Sequence, residues 1–440
     1  MVKAPMPDRC AGRAASEFRA DSKVRGHPAT LAWPAAWRRF RPEGSALAVP
    51  EFRRFWIALI VSNIGSWMQL VAQGWLILEL TNSPIYLGLF GLLRSIPALT
   101  ITLVGGVVAD RFDRRRILLL TQVSAAALAL LLGVLDLAGL VRIWHVLAIA
   151  FLSATVMAFD NPARQSLVPS LVGRERIASA VGLNSAAWNS AAVVGPSLAG
   201  LLVAAAGTGG AFVLNGLSYF PVIWAVWTIQ PAQAQPRPRT GLAQNLIAGL
   251  RFIRSDRRIW GLLTMLAVPT LLGRPYLQLM PVFARNVLHA DASGYGLLMG
   301  TNGLGALLGA LAVGATGSRH GKGKRLLLVS AAFGVTLVAF SLSHWFLISA
   351  ALLLLVGASQ TMMMGLTNTL LQLNVPEEVR GRVMSVYTLI PMGFMPLGTM
   401  LLGSLGEYFG VPLVVGVAAL LVVAFAALAY QAFPDVRGLP

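Results

Sequence analysis

GGVVADRFDRRR, Gly105 to Arg116, stands between two long apolar runs of the chain, and packs four arginines and two aspartates into twelve residues. A charged cluster this short cannot be a domain. Flanked on both sides by helix-length apolar sequence, it reads as the tight loop that returns the chain into a hydrocarbon layer.

Composition agrees, since 56% of the residues are hydrophobic and only 12% charged, far from a soluble globular average. The chain is a polytopic membrane protein, in contact with a lipid bilayer. Its net charge of +18 does not point to nucleic acid, because no segment is long and polar enough to present those charges on a soluble domain. Cys10 is the single cysteine, which excludes a disulfide framework and a cysteine-based metal site.

Residues 1–51 are rich in Arg, Ala and Pro and lack an apolar core behind a charged start, so they read as a disordered basic cytoplasmic tail rather than a signal peptide. Within them WPAAWRRFR, Trp33 to Arg41, has the make-up to rest on anionic headgroups; a solvated tail or a misassigned start codon are the competing readings.

Windows of about 20 residues, the length that crosses about 30 Å of hydrocarbon, predict about twelve spans. In the first half they cover 55–80, 85–109, 117–140, 144–163, 177–206 and 211–229. In the second they cover 259–283, 295–317, 326–342, 345–371, 383–405 and 411–433. The predicted organisation is a six-helix bundle over 52–229, a Pro- and Arg-rich linker over 230–258 that turns amphipathic at 242–253, and a second six-helix bundle over 259–434. Arg53 and Arg54, the 111–116 cluster, Arg174 and Arg176, Arg319 to Arg325, and Arg380 with Arg382 alternate with loops such as 81–84, 207–210 and 407–410 that carry no Lys or Arg. Arg142 and Arg285 are the exceptions. By the positive-inside rule both termini are expected in the cytoplasm.

An internal repeat supports the two halves. A shift of about 209 residues pairs Tyr86 with Tyr295, Gly91 with Gly300, Gly105 with Gly314, and Arg115 and Arg116 with Lys324 and Arg325. A second echo pairs Arg176 and Ser179 with Arg382 and Ser385. The expected architecture is an all-α membrane protein of two pseudo-symmetric six-helix bundles, with a site between them near the bilayer midplane.

The loop GVVADRFDRR, Gly106 to Arg115, resembles the first conserved loop motif of the major facilitator superfamily, with Asp113 in place of that motif's second glycine. The resemblance implies a transporter of the major facilitator fold. It also implies a gating role for Gly106, Asp110, Arg111, Asp113, Arg114 and Arg115, with Asp110 pairing with arginines or a helix N-terminus to hold the halves together on the cytoplasmic side. The repeated loop puts Arg319 where Asp110 stands, so only the first half carries the acid. Gly182, Ala191, Gly195, Pro196, Ala199 and Gly200 in span five are similar to the glycine and proline pattern of antiporters and exporters in that superfamily; a plain helix-packing face is the other reading. The run AFDNPARQSLVPSLV, 158–172, and NSAA, 184–187, resemble the branch of enterobactin exporters and macrolide efflux proteins, which implies efflux in a bacterial inner membrane.

Polar residues inside spans are costly unless they face a cavity or a partner. Ser62, Ser66, Gln69 and Gln73 share a stripe of span one at about 100° per residue, with Asn63 beside it. Arg94 in span two and Arg274 in span seven, with Gln278 one turn on, are deep enough to need an acidic partner, water or an anionic ligand. With Asn184 and Asn302 these complete the candidates for substrate or coupling contact; interhelical bonding and structural ion pairs are the alternatives. Of the acids, Asp160 with Arg164 one turn later is the best candidate for proton coupling, while Glu79 and Asp136 fall near span ends.

No nucleotide-binding GxxxxGK[ST] loop occurs and the five histidines lack metal spacing, so neither an enzyme, a cofactor nor a metal is expected. The reading is a monomeric secondary active exporter of a hydrophobic or amphiphilic small molecule, drug or siderophore-like, working by alternating access with proton antiport. An importer of the same fold and a transport-inactive membrane sensor or scaffold remain open.

Overall fold

The computed structural model describes residues 45–229, 251–315 and 321–439, and the side chains of all of these except 102–111. Most of the expected leader, the amphipathic stretch at 242–253 up to residue 250, and Arg319 lie outside the described residues. Every regular element among the described residues is helical.

In chain order the helices are α1 Pro50–Thr81, α2 Pro84–Arg111, α3 Arg114–Leu137, α4 Ile143–Val172, α5 Ile177–Ser218, α6 Phe220–Thr228 and α7 Arg257–Leu272. They continue as α8 Tyr276–Val282, α9 Ala292–Ala315, α10 Lys322–Ser341, α11 Phe346–Asn374, α12 Glu377–Phe409, α13 Val411–Ala432 and α14 Pro434–Arg437. Local chemistry sets the ends. Pro50 opens α1, where a missing N–H costs nothing. Asp113 and Asp256 cap α3 and α7 by accepting from Arg115 N at 2.9 Å and Arg258 N at 2.8 Å.

Ten of these stretches are long and apolar enough to cross a bilayer, against about twelve expected spans, and the difference has a physical cause in each case. Arg174–Thr228 counts as one stretch, yet it turns back on itself at Gly207, whose φ of 70° and ψ of 176° suit only glycine. Before the turn, Trp56 Nε1 of α1 donates to Leu183 O and Gly195 packs on Trp67. After it, Asn215 bonds Gln69 and Tyr219 bonds Ser66, so the chain runs back down α1 in the opposite sense. The seventh span is divided into the short helices α7 and α8 by a turn at residues 273–275, and a π-helical turn, Phe283–Val287, extends it.

The loop and terminal contacts define two faces. On the face carrying Arg114–Arg116, Arg174, Arg176, Arg380 and Arg382, Ala46 N donates to Ser179 Oγ, and Gly323 N to Leu439 O. On the opposite face Thr208 bonds Asp136 and Ser83 Oγ donates to Glu407 Oε2.

Close packing rests on small residues. The two broad seams between the first six spans and the last six are α5 against α9 and α2 against α12. A Cβ at Gly200 would lie 2.8 Å from Gly296 Cα, and one at Gly296 2.6 Å from Gly200 Cα, so the two backbones touch. At the other seam a Cβ on Gly88 would meet Met400 Cα at 2.8 Å. Inside the second half, Gly305 and Gly309 of α9 lie against the carbonyls of Leu354 and Ala358 of α11.

Gly309→Leu therefore has no room, and overpacking of this kind costs about 1–3 kcal/mol. The expected outcome is a lower melting temperature and less monodisperse protein by fluorescence-detected size exclusion, whereas Gly314→Leu, with open space around it, leaves both unchanged.

Candidate functional site

Polar chemistry collects first within the basic-face half of α1, α3, α4 and α5. Asp160 of α4 is 1% exposed, the only fully buried carboxylate among the described residues. It accepts from Thr121 Oγ1 at 2.9 Å and Gln122 Nε2 at 2.7 Å on α3, and pairs with Arg164 one turn along its own helix. Charge and hydrogen bonds are thus met on every side, so the carboxylate clamps α3 to α4. Arg164 turns its other side to a pocket of about 150 Å³ lined by Leu59, Asn63, Asn161, Gln165, Asn184 and Trp188. Arg164 Nε and Asn184 Oδ1 are buried there with no hydrogen-bond partner.

The expected stripe on α1 is mostly absorbed by packing. Ser66 Oγ donates to Ser62 O at 2.9 Å and meets the Tyr219 hydroxyl at 3.2 Å. Gln69 Oε1 accepts from Asn215. Gln73 is 3% exposed, and its Nε2 has no partner. Asn302 of α9 donates to the Tyr276 hydroxyl at 2.7 Å and to Leu353 O at 3.3 Å, bracing the seventh span against α11.

Among the described residues Arg94 and Arg274 are not brought to any carboxylate. Arg94 lies over the Phe90 ring, its Cζ 5.2 Å from the centroid, and Arg274 Nε is buried without a hydrogen-bond partner. Gln278 Oε1, also unpartnered, presses on Gly91 of α2 from the other half. An Arg at the centre of a bilayer costs about 2.5–3.5 kcal/mol by insertion scales, so the two stand out as span charges that the described residues leave without a carboxylate.

On the opposite face the halves are joined by side chains. Trp75 stacks on Tyr295 at 5.8 Å, Arg285 NH1 donates to Leu78 O at 3.1 Å, and Ser83 donates to Glu407 at 2.5 Å. Beside them a pocket of about 370 Å³ is lined by Trp75, Glu79, Thr208 and Asp291 among others. The Ser293 hydroxyl and the Gly294 amide hold the Asp291 carboxyl below the usual range, keeping that pocket's charge negative.

Of the loop motif, Gly106, Asp110 and Arg111 fall in the stretch whose side chains lie outside the described residues. Asp113 caps α3 and sits 3.9 Å from Arg116. Arg114 donates to Ser166 O of α4 at 3.2 Å, and Arg115 to Val226 O at 3.2 Å and Trp227 O at 2.5 Å. Arg115 thus satisfies the orphan carbonyls at the end of α6. These partners all belong to the first half. Of the span-five motif, Gly195 packs on α1, Gly200 and the carbonyl of Pro196 meet α9, and Gly182 has open space around it.

Several residues of these arrangements were not singled out by sequence: Asn161, Gln165, Trp188, Asn215 and Tyr219. Asn215 carries the same signal as the rest, a polar side chain within an apolar span. The others lie beside motif residues and gain meaning only from the fold.

Residues 44–437 match the family described as transmembrane secretion effector. A staphyloferrin A transporter of Staphylococcus aureus (strain NCTC 8325 / PS 47) is 24% identical over 356 residues, covering 79% of this chain and 87% of the relative. An enterobactin exporter of Citrobacter koseri is 27% identical over 362 residues, covering 81% and 85%. Among solved structures, a bacterial homologue of the human lysosomal transporter Spinster, inward-facing and unoccupied, superposes with a TM-score of 0.70 at 16% identity, over 89% of this chain and 98% of that one.

The clamp at Asp160 yields a prediction. Arg164→Ala strands a buried carboxylate and is expected to cost about 3–5 kcal/mol, read as a fall in melting temperature of the purified full chain. Asp160→Asn with Arg164→Gln removes both charges and is expected to recover most of that fall.

Proposed function

Because the chain belongs to the transmembrane secretion effectors of the major facilitator superfamily, we propose that it exports a hydrophobic or amphiphilic small molecule, drug or siderophore-like, from the cytoplasm by alternating access. Names of relatives, a staphyloferrin A transporter and enterobactin exporters, support the siderophore-like cargo. The lysine- and arginine-bearing face is the cytoplasmic one, and the membrane is a bacterial inner membrane. The working units are the bundles over 52–229 and 259–434, joined by the linker, in a monomer.

The observation that carries this reading is the pattern of contacts between the halves. The described side-chain bonds that cross from one half to the other, Trp75 on Tyr295, Arg285 on Leu78 and Ser83 on Glu407, cluster on the face away from the basic loops. The seams below them are glycine contacts between backbones, which slide without breaking hydrogen bonds. Two bundles latched at one face and hinged on smooth seams suit a rocking exchange of access. Asp110 is the proposed latch residue on the cytoplasmic face, and Asp160 with Arg164 the proposed proton-linked pair.

The test is efflux from a bacterial strain lacking its main native pumps, run on a panel of dyes, antibiotics and siderophores, and repeated in proteoliposomes with an internal pH dye. Wild type is expected to lower accumulation of at least one compound and to move protons when it is added. Gly296→Leu, which wedges the α5–α9 seam, is expected to cut efflux at least about tenfold at matched membrane expression. Asp160→Asn is expected to abolish the proton signal. Efflux by wild type without proton movement rejects the coupling, and failure to export any compound rejects the export reading.

A further inference from the structure

Three helices each turn one face toward the same cavity. Leu59 and Asn63 of α1, Asn161 and Gln165 of α4, and Asn184 and Trp188 of α5 are spaced by four residues, so each pair shares one face of its helix. Those faces, with Arg164, line the pocket of about 150 Å³. Arg164 stands eight residues before the end of α4 at Val172, about 12 Å, and Asn184 seven residues after the start of α5 at Ile177, about 10 Å. Both ends carry basic loops, so the cavity lies in the basic-face half, and its described lining belongs entirely to the first bundle.

Size and walls favour one kind of occupant. The volume is several times the roughly 30 Å³ share of a single water, and an apolar cavity of this size takes up benzene. Trp188 gives the pocket an aromatic wall, backed by Trp67 with ring centroids 5.6 Å apart, and Leu59 an aliphatic one. The polar requirement is as definite. Arg164 Nε is a buried donor and Asn184 Oδ1 a buried acceptor, neither with a hydrogen-bond partner among the described residues, so a group that meets both must accept from one and donate to the other. Charge argues against an ion. The Arg164 guanidinium is already paired with Asp160, and the rest of the lining is amide, leucine and tryptophan. An anion entering there brings a second negative charge beside a buried carboxylate with no further cation to meet it.

We propose that this pocket is a cargo site for an uncharged aromatic ring carrying one group that both donates and accepts a hydrogen bond, a primary amide or a hydroxyl. The ring lies against Trp188, and the polar group between Arg164 Nε and Asn184 Oδ1. The cargo role rests on the export reading; the binding site rests on the cavity and its unmet polar atoms alone. The guanidinium that grips Asp160 on one side then holds the ligand on the other, so cargo and the proposed proton-linked pair share one side chain.

Fluorine NMR line broadening on the purified full chain in nanodiscs, with empty nanodiscs as the blank, reads binding apart from transport. The probes are 4-fluorobenzamide, its N,N-dimethyl derivative, which accepts but cannot donate, and 4-fluorobenzoate, the charged isostere. Wild type is expected to bind the primary amide at least about tenfold more tightly than either of the others. Asn184→Ala is expected to weaken the primary amide about tenfold and leave the dimethyl amide unchanged, and Trp188→Ala to weaken both. Asn189→Ala, an exposed residue whose amide bonds Ser185 O, is expected to change neither. Melting temperatures verify that the variants are folded. Benzoate bound as tightly as the amide, a preference for the primary amide that survives Asn184→Ala, or broadening no greater than the blank, which marks a pocket filled by water alone, overturns the site. Selective binding in a protein that exports nothing overturns the export reading and leaves the site standing. Export by wild type without selective binding overturns the site and leaves the export reading standing.

Discussion

Backbone touches backbone where Gly200 of α5 meets Gly296 of α9, and much of the molecule is arranged around that approach. In hydrocarbon there is no hydrophobic drive between helices, so association depends on close van der Waals fit and on buried polar bonds. Small residues at Gly200, Gly296, Gly300 and Gly303 supply the fit at one seam, and Gly88 and Gly403 at the other. A seam of this kind has few directional bonds to break when it shifts. Three contacts made by described side chains that cross between the halves, at Trp75, Arg285 and Ser83, sit together toward one face.

The same absence of water sorts the charged residues into two kinds. Asp160 is surrounded by Thr121, Gln122 and Arg164 and so holds two helices together. Arg94 and Arg274 have aromatic and phenolic neighbours and, among the described residues, no carboxylate. The first is an internal staple whose cost is met within the protein. The other two have no charge to answer them among the described residues.

The basic loop has a dual character on this view. Arg115 reaches Val226 and Trp227, carbonyls exposed where α6 ends, and Arg114 reaches Ser166 O within α4. Cations at helix C-termini are stabilised by the aligned backbone dipoles, so these arginines bind the first bundle into one body. The loop that marks one face by its charge therefore also ties α3 to α4 and α6.

Sequence by itself determined the membrane class, the helical fold and the loop positions, because apolar run length and loop charge are local properties set by the thickness of the bilayer; the superfamily came from the resemblance of the Gly106 to Arg115 loop to a known motif. It also marked Asp160, Arg94 and Arg274 as unusual, since a charged side chain in a span is visible without coordinates. What each of those does was decided only by tertiary structure. Whether a buried charge is answered depends on helices distant in the chain: Asp160 finds Thr121 and Gln122 across 39 and 38 residues, while Arg94 and Arg274 find no acid among the described residues. Likewise the split of the seventh span was hidden in continuous apolar sequence, whereas the reversal at Gly207 falls in the loop read at 207–210, and the structure adds the glycine torsion that makes the turn.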